Sequence, residues 1–154
     1  MNKLNSGISI TNFNITNKSN TFLDSVKMKS DGSLDFYVDC GVYLNDEFIN
    51  KASEFRPNNY IFCNVLSAGK QPQYYLAQRY IKLPLDSSTI FFGYHIVINS
   101  VQVKQLLEFS DEIEIQLSYT TSNEAHAGFS EMLRFGEFFK TIIPINAEGS
   151  IKNG

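Results

Sequence analysis

Alternation of apolar and polar residues, the mark of a half-buried strand, dominates this chain. It is cleanest between residues 34 and 44, where Leu34, Phe36, Val38, Cys40, Val42 and Leu44 share one face. Asp35, Tyr37, Asp39, Gly41 and Tyr43 share the other. The first set reads as core and the second as wet. Ile8, Ile10, Phe13 and Ile15 predict an earlier strand over 7–16, with a bulge where the period slips. Phe22 to Met28 predicts another, with Val26 and Met28 on one face. Asp31-Gly32 predicts the turn into the clear strand.

The period breaks over residues 45–56. Asn45 suits a helix cap, Asp46 and Glu47 its first turn, and Phe48, Ala52 and Phe55 one apolar stripe, before Pro57 ends it. Tyr60 to Leu66 reads as a buried strand, and Tyr74 to Leu83 resumes alternation. Thr89 to Asn99 is apolar at Phe91, Phe92, Tyr94, Ile96, Val97 and Ile98, which predicts a central strand covered on both faces. Residues 100–109 predict a second short helix with Ser100 as cap and Val103, Leu106 and Leu107 inward. In the next strand Ile113, Ile115, Leu117 and Tyr119 point in, and Glu112, Glu114, Gln116 and Ser118 point out.

Between Asn123 and Ile145 two readings compete. Thr121-Ser-Asn-Glu124 matches a capping box, and a wheel places Ser130, Arg134, Glu137 and Thr141 together. Gly128 and Gly136 weaken a helix, so the preferred reading is a closing strand over 137–145. The expected fold is mainly β: a single antiparallel β-sandwich or jelly-roll-like domain over 1–146 with one or two short helices. Residues 147–154 form a polar tail expected to fray.

Composition narrows the function. The 154-residue chain is 43% hydrophobic and only 19% charged, enough to bury a core and too apolar for disorder. Its net charge of −3 argues against a nucleic-acid partner. No apolar run approaches the ~20 residues that span a bilayer, so no membrane partner is expected. The start carries no apolar h-region, so a virion or cytoplasmic location is expected rather than signal-peptide secretion.

Chemistry is sparse. The chain has no phosphate-cradling, dinucleotide-binding, nucleophile-elbow or paired-histidine zinc motif. His95 lies in the most apolar strand and reads as a hydrogen-bonded core residue; His126 sits in a Gly/Ala-containing loop. Cys40 and Cys63 read as small buried hydrophobes. No cofactor and no metal site is implied. Two sequons, at Asn14 and Asn17, are expected by chance in an Asn-rich chain without a secretory signal. Acidic residues cluster at 31–47 and at Glu108, Asp111, Glu112 and Glu114, and read as solvated faces and charged strand edges.

Glu112 and Glu114 share one face of a strand, about 6.5–7 Å apart. Glu112-Ile-Glu114-Ile-Gln116 faintly resembles the E-x-D-x-x-E strand of concanavalin-like sandwich glucanases. Leu117 stands where that pattern has its third acid, and the chain has no Trp to stack on a sugar. The resemblance would make the chain a small glucanase-like hydrolase, the third of three readings.

The first reading is a non-enzymatic structural or assembly protein that binds copies of itself, as a homo-oligomer, or a larger shell. Chains of this kind are typical of virion components such as phage capsid, vertex, neck or fibre proteins, a fold-level analogy. Tyr37, Tyr43, Tyr74 and Tyr75 fall on positions that suit protein contacts. The second reading is a lectin-like carbohydrate-binding module, in which the same tyrosines stack on sugars while Asp35 and Asp39 bond hydroxyls.

Overall fold

The computed structural model describes residues 7–69, 73–121 and 136–146. The strands are β1 (Ile8–Thr16), β2 (Phe22–Leu23), β3 (Val26–Lys27), β4 (Leu34–Leu44), β5 (Asn59–Ser67), β6 (Tyr75–Lys82), β7 (Thr89–Ile98), β8 (Glu112–Thr121) and β9 (Glu137–Asn146). Two short helices, α1 (Asp46–Ala52) and α2 (Ser100–Leu107), interrupt them. One sheet runs β2-β1-β4-β7 and the other β3-β9-β8-β5-β6. Residues from both sheets and both helices share one buried apolar cluster.

β4 occupies the predicted span, and its apolar row from Leu34 to Leu44 is buried throughout. Phe36 and Val38 are fully enclosed. Tyr94 of β7 ties the sheets together by donating its hydroxyl to the Ile61 carbonyl of β5 at 2.7 Å. β1 carries the expected bulge between Ile10 and Asn12. α1 starts as predicted: Asn45 Oδ1 accepts the Phe48 N–H at 2.8 Å, capping an otherwise orphan donor. Lys51 bonds Glu47 one turn back at 3.0 Å. The closing strand is present as β9, antiparallel to β8.

Several expectations need correction. Residues 22–28 are two fragments, because a bend at Asp24-Ser25 carries the chain from one sheet to the other. β3 pairs with β9 in parallel, so the pairing is not wholly antiparallel. Asn99, not Ser100, caps α2 through its bond from the Gln102 N–H. Phe55 and Leu107 sit at the ends of their stripes and stay exposed. β7 is an edge strand, not a central one. It pairs with β4 alone among the described residues, and Phe91 is 72% exposed. The expected core histidine is therefore on the surface: the His95 side chain is 48% exposed.

The capping box at 121–124, the wheel through Ser130 and Arg134, His126 and the tail at 147–154 fall wholly or partly outside the described residues.

Candidate interaction surface

On the outer face of the first sheet, strand register sets the neighbours. Tyr37 lies opposite His95, Asp39 opposite Gly93, Gly41 opposite Phe91, and Tyr43 opposite Thr89. His95 Nε2 donates to Asp35 Oδ1 at 2.7 Å, and Lys29 approaches the other carboxylate oxygen at 3.9 Å. Tyr37 stacks on His95 with centroids 4.4 Å apart and planes 11° from parallel. Its ring is thus half-buried and spent on an intramolecular contact.

Asp39 is fixed from β1, where Thr16 Oγ1 donates to its Oδ2 at 3.0 Å. Two glycines leave room on this face. A Cβ on Gly93 would stand 3.0 Å from Asp39 Oδ1, and one on Gly41 would stand 3.0 Å from Phe91 Cε1. The Phe91 ring therefore leans over Gly41, and the Asp39 carboxylate lies over Gly93.

The four candidate tyrosines do not converge. Tyr37 and Tyr43 lie three alternate positions apart on β4, and Tyr43 is open to solvent. Tyr75 opens β6 in the other sheet, opposite Leu66. Tyr74 packs on Phe109 beyond α2, ring centroids 5.1 Å apart. Tyr74 and Tyr75 are both exposed, on a different part of the molecule from Tyr37 and Tyr43.

The outer face of the second sheet corrects a second expectation. Glu114, Gln116 and Ser118, read as wet, are buried, Glu114 at 7% exposure. They form a bonded polar row with β5 and β6. Gln78 donates to Asn64 at 2.8 Å, Asn64 lies 3.5 Å from the Ser118 hydroxyl, and Glu114 accepts from Gln116 and from Gln73. These bonds offset much of the cost of burying the row, although the Gln116 Oε1 accepts no hydrogen bond among the described residues. Glu112 remains exposed at the strand's start, so the two glutamates occupy different environments. Burial pushes the Glu137 carboxyl up, with Lys140 pulling it back and Glu114 adding to the rise.

Burial also holds both free thiols up: Cys40 to about 12, with Asp39 adding to the effect, and Cys63 further. Among the described residues no group of three or more His, Cys, Asp or Glu could hold a metal ion. No helix among them is long and apolar enough to cross a membrane.

The sheet edges differ sharply. β2 and β3 are two residues each. β6 carries Arg79 and Lys82, and its pairing slips between Val65 and Leu66. Short length, charge and bulges are the ordinary means of blunting an edge. β7 has none of them. It runs ten residues, Thr89-Ile-Phe-Phe-Gly-Tyr-His-Ile-Val-Ile98, with no Lys, Arg, Asp, Glu or Pro and no register shift against β4. Phe91, Gly93, His95 and Val97 are all exposed along it. The sequence reading missed this surface by taking apolar content for double coverage. Gly93 and His95 on the same face as Phe91 and Val97 were the available sign of a wet side.

No family model matches this chain, and no curated protein does. Among solved structures it is similar to the crystal structure of a GH3 β-glucosidase from Bifidobacterium adolescentis. The TM-score is 0.38 and the identity 7%, over 90% of this chain and 17% of that one. This chain thus spans about a sixth of that enzyme's length, and a likeness so distant carries no functional argument.

Proposed function

We propose that this chain is a non-enzymatic assembly protein: a jelly-roll-like β-sandwich that binds copies of itself or the surface of a larger protein shell, with a virus particle as its setting. The unblunted edge of β7 carries the reading. Along its ten residues, the backbone groups of β7 that point away from β4 meet no further strand among the described residues, and beside exposed Phe91 and Val97 they form a template for strand addition. The exposed rings of Tyr43, Tyr74, Tyr75, Tyr80 and Phe109 add further contact area of the kind enriched in protein interfaces.

Size-exclusion chromatography with light scattering tests the reading. Association at tens of micromolar, followed by an assembly whose interfaces bury more than ~1,000 Å² each, supports it. A stable monomer that decorates no shell overturns it.

A second reading has its own observation. Phe91 and Tyr43 expose rings on the same face as the fixed carboxylate of Asp39, an arrangement that suits a sugar face and its hydroxyls. A monomer whose binding on a glycan array is lost in Phe91→Ala would favour the carbohydrate-binding module.

A further inference from the structure

We infer that the cleft between residues 56–59, which lead into β5, and residues 82–86, which close β6, binds a small organic carboxylate. The anionic head sits with Arg56 and Lys82, and the apolar body lies against Leu83, Leu85 and the prolines Pro57 and Pro84. Such a site does not depend on the assembly reading.

The walls are tied together by defined bonds. Asn59 is buried, and its amide donates to the Ala52 carbonyl at 3.1 Å while accepting the Tyr119 hydroxyl. The Leu83 N–H donates to the Asn59 carbonyl at 2.8 Å. Arg56 reaches across, its Nη2 donating to the Leu85 carbonyl at 3.0 Å. Leu83 and Leu85 are themselves buried, so both walls are in place before a ligand arrives. The cleft measures about 410 Å³, at the lower end of the range for small-molecule sites.

Charge selects the ligand. Neither Arg56 nor Lys82 forms an ion pair with a carboxylate among the described residues. The bond to Leu85 fixes the guanidinium and uses one of its five N–H donors. The others suit a carboxylate, which a guanidinium grips through two parallel bonds. Edge protection explains a lysine on β6. It does not explain an arginine brought from a different segment and bonded into the same cleft. Asp86 also lines the cleft, so two cations face one carboxylate. A monoanion neutralises the surplus, and a phosphate dianion overshoots it. Leucine and proline walls give a purely inorganic anion little to bind beyond its charge.

Titration of the full chain with benzoate, followed by amide NMR, tests the site. Saturable shifts confined to residues 56–59 and 82–86 are expected, with a dissociation constant in the millimolar range, as befits so small a ligand. Benzamide, which keeps the ring and loses the charge, should bind at least about threefold more weakly, and so should inorganic phosphate. Lys82→Met should weaken benzoate about threefold, since that side chain is exposed, and Arg56→Met about tenfold. Lys104→Met removes the same charge from α2 and should leave binding unchanged, which separates the cleft from net charge. Because the Lys82 side chain is exposed and bonds to no described group, its variant reads binding even if Arg56→Met does not fold. Absence of saturable shifts up to about 50 mM benzoate overturns the site. Equal binding of benzamide, or benzoate binding that survives both cation variants, overturns the role of the cations. Phosphate binding as tight as benzoate overturns the role of the apolar walls. None of these results touches the assembly reading, which light scattering decides.

Discussion

The carboxylate of Asp39 occupies the space that a side chain on Gly93 would need. An added Cβ would stand 3.0 Å from Asp39 Oδ1 and 3.2 Å from the Val38 carbonyl. Thr16 holds the carboxylate from the other side, so it cannot swing away freely. Gly93→Ala should therefore destabilise the fold by about 1 kcal/mol, overpacking outweighing the smaller entropy of the unfolded chain. In an Asp39→Ala background the penalty should shrink, a coupling that a double-mutant cycle in urea measures. Equal penalties in both backgrounds would show that the backbone carbonyl alone sets the limit.

Phe36, the third residue of β4, anchors the core and is fully enclosed. Phe36→Ala should cost ~3–5 kcal/mol, as for a large ring removed from a close-packed site. Chemical denaturation gives the number. A loss below about 1 kcal/mol would mean a register slip, since one residue exchanges every side chain between faces.

Glu112 and Glu114 should behave oppositely although they are two residues apart. Glu112 is exposed, and Glu112→Gln should change stability by less than about 0.5 kcal/mol. Glu114 is buried and accepts from the Gln116 and Gln73 amides. Glu114→Ala strips both donors of a partner and should cost about 1–3 kcal/mol. Equal effects at the two positions would contradict the bonded row.

Glu137 gives a pH signature. Its carboxyl is held above the ordinary 4.5, by burial first and by Glu114 after the opposing pull of Lys140. A raised folded value means the native state keeps the proton longer than the unfolded chain does. This group's contribution is thus most favourable below about 4.5 and is lost as pH rises through the higher folded value. Glu137→Gln removes that loss. Thermal unfolding should show the variant gaining on the parent as pH rises from about 4.5 through the raised folded value. A constant difference across that range would mean that Glu137 titrates alike in both states.

Legibility followed the kind of signal each element carried. β4 was readable to the residue, because one face is apolar, the other polar, and nothing interrupts the period. α1 was readable because Asn45, Asp46, Lys51 and Pro57 each mark an end. β7 and β8 failed for complementary reasons. Alternation reports polarity, and polarity is not exposure. Phe91 and Val97 are apolar yet exposed because they lie on the outer face of the sheet, opposite the buried row of Ile90, Tyr94, Ile96 and Ile98. Glu114 and Gln116 are polar yet buried because they bond to one another. The β3–β9 pairing left no local trace, being two residues long and far apart in sequence. Placing Tyr37 and Tyr43 off the core succeeded, but no local pattern could say that Tyr74 and Tyr75 belong to a different part of the surface.

Cys40 and Cys63 should be silent toward thiol reagents in the native protein. Both are buried, Cys40 on the inner face of β4 and Cys63 on that of β5. The thiolate is the reacting form, and burial opposes it: Cys40 is held up at about 12, Cys63 higher. Near pH 8 almost no thiolate exists in the folded state, and the reagent cannot reach either sulfur. Labelling should then follow unfolding, accelerating with denaturant until two thiols react per chain. Both sites should label at one rate, because β4 and β5 share a single core. Faster labelling at Cys40 alone would mean that the β4–β7 sheet opens before the rest.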